Sequence, residues 1–161
     1  MGHNSPAQRV MYEIADTQGN GVLSDVLGGT LQRLAQLGRV YFKWAIFDLD
    51  WLQHEDGILH AERVTRRTRQ RPAGWRLDDH GIRLFHAQCL QVIDGLFLGA
   101  EDFVVRPERA TTELIMLQAD VALLASDSTF WLLTCADEQV AASIVASYKS
   151  VKRTSLPNVF G

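Results

Sequence analysis

The alternation of apolar and polar positions is clearest toward the end of the chain. Two apolar runs, Val121–Ala125 and Phe130–Cys135, flank a polar turn, Ser126-Asp127-Ser128-Thr129, and an amphipathic stretch follows from Glu138 to Val151. That order predicts a β-hairpin feeding a helix. Val140, Ala141, Ile144, Val145 and Tyr148 would form the buried helical face, with Asp137 as cap and Lys149, Lys152 and Arg153 near the opposite end. The hydroxyls and carboxylate of the turn read as makers of local side-chain-to-backbone hydrogen bonds.

The rest of the chain follows the same two periods. Arg9–Ala15 alternates like a half-buried strand and runs into a Gly/Asn-rich turn, Asp16–Gly21. Val22–Leu37 places Val22, Val26, Leu27, Leu31, Leu34 and Leu37 on one helical face, and Gly38 suits its C-terminal stop. Gly28-Gly29 weakens that helix by about 1 kcal/mol per residue relative to alanine, enough to break it there. Val40–Leu52 is rich in β-branched and aromatic residues, Glu55-Asp56-Gly57 signals a hairpin turn, and Ile58–Thr65 would return antiparallel. Arg66–Arg76 reads as an exposed basic loop. A short helix over about His80–Ala87, a strand Cys89–Leu98, a polar connection Glu101–Arg109 and a short helix Ala110–Gln118 complete the chain before the hairpin. Leu156–Gly161 is a tail or a short edge strand. Strands outnumber helices and strict β-α-β alternation is absent. The expected fold class is α+β: a mainly antiparallel sheet with helices packed on one face.

Bulk properties narrow this picture. A length of 161 residues predicts one domain, 1–161, with a flexible lead over 1–8 and a tail over 154–161. A hydrophobic fraction of 47% and a charged fraction of 22% are ordinary for a folded chain, so disorder is not expected as its overall state. The formal net charge of -3 argues against a dedicated nucleic-acid binder. Cys89 and Cys135 lie in apolar runs outside any C-x-x-C pair, which suggests a reducing compartment. MGHNSPAQRV lacks the pattern of a signal peptide and no apolar run reaches membrane-span length, so a cytoplasmic protein is expected.

Candidate chemistry is sparse. Asp48-Leu49-Asp50 at a strand end resembles the nucleophile motif of haloacid-dehalogenase-type phosphatases. That motif continues with Gly and Thr or Val; here it continues Trp51-Leu52. Strand alternation instead puts Asp48 and Asp50 on a solvent face, with Phe47, Leu49 and Trp51 sharing the other. His54, His60, His80 and His86 show no zinc-ligand spacing. His86 precedes Cys89 by three residues, but a helix-to-strand change between them favours a core cysteine over a nucleophile. No metal and no cofactor is expected.

Two charged blocks remain. Six arginines fall between Arg63 and Arg76, beside Trp75, and could grip phosphates. The neighbouring window Ala45–Glu62 carries Asp48, Asp50, Glu55, Asp56 and Glu62 with no Lys or Arg. Across a hairpin the blocks would partly neutralise each other, which makes nucleic-acid contact the weaker expectation.

Several stretches together resemble a small bacterial family of unknown function. They are the strand ending Glu13-Ile14, the Gly19-Asn20 turn, a helix with Leu23 and Leu27, and a strand with Tyr41 and Trp44. The closing hairpin Leu123–Ser128 with its Asp137-Glu138 helix start completes the set. The resemblance implies an α+β fold and supplies no catalytic residues. In type, though not in motif, the chain is also similar to immunity proteins of interbacterial toxin systems. The leading expectation is a non-enzymatic module that binds a protein partner, such as a toxin, through Asp48, Asp50, Glu55 and Asp56, with Trp51 as an exposed anchor. The alternative is a small-molecule-binding protein or atypical enzyme with a pocket between sheet and helices.

Overall fold

The computed structural model describes residues 9–17, 23–40, 43–69, 73–103 and 111–154. Their elements run β1 (Met11–Ile14), α1 (Val26–Gln36), β2 (Lys43–Gln53), α2 (Ala61–Arg69), β3 (Trp75–Leu77) and α3 (Asp79–Gln88). β4 (Cys89–Ala100), α4 (Thr112–Met116), β5 (Val121–Ser126), β6 (Phe130–Cys135), α5 (Glu138–Val145) and β7 (Val151–Thr154) follow. The described strands form one seven-stranded sheet in the order β3-β2-β4-β5-β6-β1-β7. Every pairing is antiparallel. The α+β class expected from the sequence is therefore the observed one. No helix among the described residues is long and apolar enough to cross a membrane.

The larger core lies on the helix-covered face. Val26, Leu27, Leu31 and Leu34 of α1, Ile82 and Phe85 of α3, and Val140, Ala141 and Ile144 of α5 pack there against strand residues such as Phe97, Leu123 and Trp131. Phe85 is its aromatic hub, with ring centroids 4.9 Å from Trp51, 5.8 Å from Trp75 and 6.2 Å from Phe97. The opposite face holds a smaller core of Met11, Phe47, Leu96, Leu98, Ala122 and Leu132, covered by Ile115 and Met116 of the short α4. Arg9 pins the end of α4, its guanidinium donating to the carbonyls of Met116 (3.2 Å) and Ala119 (2.8 Å).

Caps fall where the residue types predict. Asp78 accepts from Gly81 N–H at 2.7 Å to start α3, and Asp137 accepts from Gln139 N–H at 2.9 Å to start α5. Gly38, at φ 73, ends α1, with its N–H on Ala35 O and Arg39 N–H on Leu34 O. The hairpin turn between β5 and β6 carries positive φ at Asp127 (48) and Ser128 (55), closed by Thr129 N–H on Ser126 O at 2.9 Å.

Three expectations fail locally. Residues 58–65 do not return as a strand: Ala61–Arg69 is helix α2, and the partner of β2 is β4. Within AERVTRRTR, Ala61, Val64 and Thr68 turn toward the core, three and four positions apart. That spacing forms one helical stripe, and its odd step from Ala61 to Val64 breaks the period of two that a strand would need. Arg66–Arg76 is therefore not one loop: Arg66, Arg67 and Arg69 lie on α2 and Arg76 on β3. The last helix stops at Val145, and Val151–Thr154 forms edge strand β7.

Gly28-Gly29 does not break α1, which runs unbroken from Val26 to Gln36. The stretches over 1–8, 18–22, 41–42, 70–72, 104–110 and 155–161, including the expected lead, the Gly19-Asn20 turn, most of the tail, Tyr41 and Arg71 of the expected basic loop, lie outside the described residues.

Candidate functional site

The acidic window is organised by a bulge in β2. Before it, Trp44 and Ile46 face the helices while Ala45 and Phe47 face the opposite side. After it, Leu49 and Trp51 face the helices. The pairing passes from Phe47↔Leu96 to Asp50↔Asp94, so Asp48 and Leu49 together oppose the single residue Gly95. Asp48 takes the left-handed conformation at φ 51 that lets the strand absorb the extra residue. β4 compensates with its own extra residue, Ile93, between Asp94 and Val92. Phe47 and Trp51, expected on one face, thus lie on opposite faces.

This shift corrects one candidate directly. Trp51 is only 6% exposed, packed on Phe85, and is not an exposed anchor. Asp48 and Asp50 remain exposed, as do Glu55 and Asp56 in the turn that follows. Asp50 stands opposite Asp94, and Asp94 Oδ1 accepts the Asp127 N–H at 2.7 Å. His54 and His60 are exposed, and the structure brings neither of them together with Asp48 and Asp50 into a cleft. Among the described residues no group of three or more His, Cys, Asp or Glu side chains is placed to hold a metal ion.

The loop after β2 is held firmly. Gln88, buried at the end of α3, accepts the N–H groups of Ile58 (2.6 Å) and Leu59 (2.9 Å) on Oε1, and Gln53 Nε2 donates to Leu59 O at 2.7 Å. His54 N–H donates to Gln88 O, and Gly57 N–H to His54 O closes the turn. On this pinned loop Ile58 is 76% exposed, next to Glu55 and Asp56. Leu52 and Leu90 are also exposed.

A second cluster was not visible as a site in the sequence. Asp25 caps α1, accepting Gly28 N–H at 2.8 Å, and its Oδ2 lies 2.5 Å from Nε2 of His86 in the last turn of α3. The carboxylate sits at the positive end of one helix and the imidazole at the negative end of another, both favourable placements. Burial opposes ionisation of Asp25, but hydrogen bonds from His86 and Gly28, with the charge of His86, hold its carboxyl below the usual range. Tyr148 reaches the same helix end through its hydroxyl on Asp25 O at 3.5 Å, and burial, then Asp25 and Asp16, push its phenol up to about 12.

The glycine pair explains the approach. A Cβ on Gly28 would collide with the Asp25 carboxylate and the His86 ring, and one on Gly29 with the Tyr148 hydroxyl. Both glycines are spaces for incoming side chains, and Gly28-Gly29 inside a helical pattern was the signal that could have located the cluster.

The His86–Cys89 pairing considered from sequence does not form: His86 turns to Asp25. Burial, then the charge of Asp25, pushes the Cys89 thiol up to about 12, so it is a protonated packing group at neutral pH. Cys135 is likewise pushed up to about 12, chiefly by burial. A cavity of about 40 Å³ lies beside Arg39, Asp120, Cys135 and Asp137. That is well below the roughly 300 Å³ at which small-molecule sites begin.

Compared with known proteins, the chain matches no family model, no curated protein and no solved structure, so neither resemblance drawn from its sequence gains support there.

Proposed function

We propose that this protein is a non-enzymatic module that binds a basic protein partner, of the immunity or regulatory kind, through the exposed end of β2 and the loop beyond it. The observation that carries this reading is Ile58. An isoleucine 76% exposed on a loop fixed by Gln88 and Gln53, beside Glu55 and Asp56, is an apolar contact with an acidic rim. Ile58 takes the anchoring part first given to Trp51. Pinning the loop before binding lowers the ordering entropy of association. The carboxylates of Asp48, Asp50, Glu55 and Asp56 would steer a basic partner and act mainly on the association rate.

The test is capture from a host lysate with wild-type protein and with a variant carrying Asp50→Asn, Glu55→Gln, Asp56→Asn and Ile58→Asp. Support requires a basic protein retained by the wild type and lost by the variant. With that protein purified, neutralising the three carboxylates should lower kon and flatten its salt dependence, while Ile58→Ala should raise koff. Equal retention by both proteins, or no retained basic protein, overturns the reading.

A further inference from the structure

The arginines of α2 form no ion pair with the carboxylates of the acidic window, although one of these, Glu62, lies on the same helix four residues before Arg66. Arg63, Arg66, Arg67 and Arg69 are all exposed, and none forms an ion pair with another described residue. The hairpin that would have set them opposite Asp48–Glu62 does not exist. The chain instead turns into a helix that carries them to the lateral edge of the sheet.

The position of α2 follows from the short edge strand. β3 pairs with β2 only over Trp44–Ile46. Beyond that, α2 closes the edge, and the buried Thr68 hydroxyl accepts the Leu49 N–H at 3.0 Å. Val64 and Thr68 face inward. Arg63, Arg66 and Arg67 stand at i, i+3 and i+4, so they form one outward ridge. Arg76 on the adjoining edge strand β3 pairs with Ala45 and so projects on the sheet face away from the main helices, with its guanidinium 4.9 Å from the centre of the Phe103 ring and Lys43 Nζ on the same ring at 5.5 Å. Lys43 is drawn toward Asp102 at 3.9 Å, whereas Arg76 has no carboxylate partner among the described residues.

We infer that this edge, α2 with β3 and Phe103, is a binding surface for the sugar-phosphate backbone of single-stranded nucleic acid. Guanidinium groups in a row on a helix match a string of phosphates by charge and hydrogen-bond geometry. An arginine held against an aromatic ring adds a planar group for stacking, which an acidic peptide does not use and a single strand does. The net charge of -3 counts the acidic loop and the acidic outer face together with this edge, so it conceals the local field. The surface uses other residues than the Ile58 loop that precedes α2, and its test is independent of the protein-binding reading.

The test is fluorescence anisotropy of a labelled mixed-sequence 20-nucleotide RNA titrated with the full chain. Saturable binding is expected at 50 mM salt, weakening about 50-fold by 200 mM if four phosphates are neutralised. The triple variant Arg63→Gln, Arg66→Gln, Arg67→Gln should lose about three phosphate contacts and flatten the log–log salt slope by about 2. Arg76→Gln should weaken binding at every salt concentration. Each variant should still unfold in one cooperative thermal transition, because these side chains are exposed and hold no ion pair with a described residue, and the loss of cations from the end of α2 or of the Arg76–Phe103 contact costs little. Absence of binding at 50 mM, binding unchanged in the triple variant, or tighter binding of the matching duplex each overturns the inference. An acidic peptide of equal charge that binds as tightly and with the same arginine dependence would assign the edge to a protein and overturn it as well.

Discussion

His86 Nε2 lies 2.5 Å from Asp25 Oδ2, and the space for that contact exists because residue 28 has no side chain. One hydrogen-bonded pair thereby joins the start of α1 to the end of α3, and a glycine inside a helix makes it sterically feasible. The pair is partly exposed, so its Coulombic contribution alone is modest. Its structural effect is larger, because it fixes how two helices meet over the main core.

Gly28→Ala should destabilise the protein although alanine favours the helix by about 1 kcal/mol. The new methyl must displace the His86 ring or the Asp25 carboxylate. In a His86→Ala background the ring is gone, and the same substitution should cost about 1 kcal/mol less. Urea unfolding of the four proteins in this double-mutant cycle measures the difference. Additive effects would show that Gly28 and His86 are not coupled.

Acid should unfold the wild type partly through Asp25. Its folded-state carboxyl lies below the ordinary value. Ionised Asp25 therefore adds stability that is present above the unfolded carboxylate range, near about pH 4, and is lost as pH falls through the lowered folded value. Asp25→Asn keeps a good helix cap but cannot ionise. Stability measured from pH 6 down to pH 2 should fall less steeply in Asp25→Asn than in the wild type.

Thr68→Val should remove the acceptor of the buried Leu49 N–H and leave that group unpaired. The expected loss is about 1–3 kcal/mol, whereas Thr68→Ser should keep most of the stability. Hydrogen exchange at Leu49 should quicken in the valine variant, since this contact seals the stretch of β2 that β3 does not cover. Unchanged exchange there would mean that α2 does not guard the edge.

Cys89 and Cys135 should resist alkylation in the native state. With both thiols pushed up to about 12, the thiolate fraction at pH 8 is on the order of one in ten thousand. Iodoacetamide at pH 8 should label them only after denaturation, as read by mass spectrometry. Rapid native labelling of Cys89 would indicate that it is far more reactive than its setting implies.

Much of the fold was legible in the chain because it is encoded locally. The hairpin around Asp127, the caps Asp78 and Asp137 and the stop at Gly38 depend on residues within a turn of one another. The α+β class follows from adding such elements together. The helix over 61–69 is hard to read from the chain because its inward stripe of Ala61, Val64 and Thr68 shows only two apolar residues in a polar run, Thr68 being buried for its hydroxyl. The acidic candidates were placed correctly as exposed groups. Trp51 was misjudged because a period of two extrapolates only while the strand stays regular.

The sequence by itself determined the elements that rest on short-range chemistry: turn residues, caps, and the alternation of apolar positions along each strand. Tertiary structure alone decided where that alternation changes phase, since the bulge at Asp48 exists only through its pairing with β4. It also decided what Gly28 and Gly29 are for, because His86 and Tyr148, which enter the space they leave, lie 58 or more positions away in sequence. Finally it decided that the arginines of α2 form no ion pair with another described residue. The two blocks are neighbours along the chain, but a helix at the sheet edge directs the guanidiniums outward, and charges partner only where the fold lets them meet.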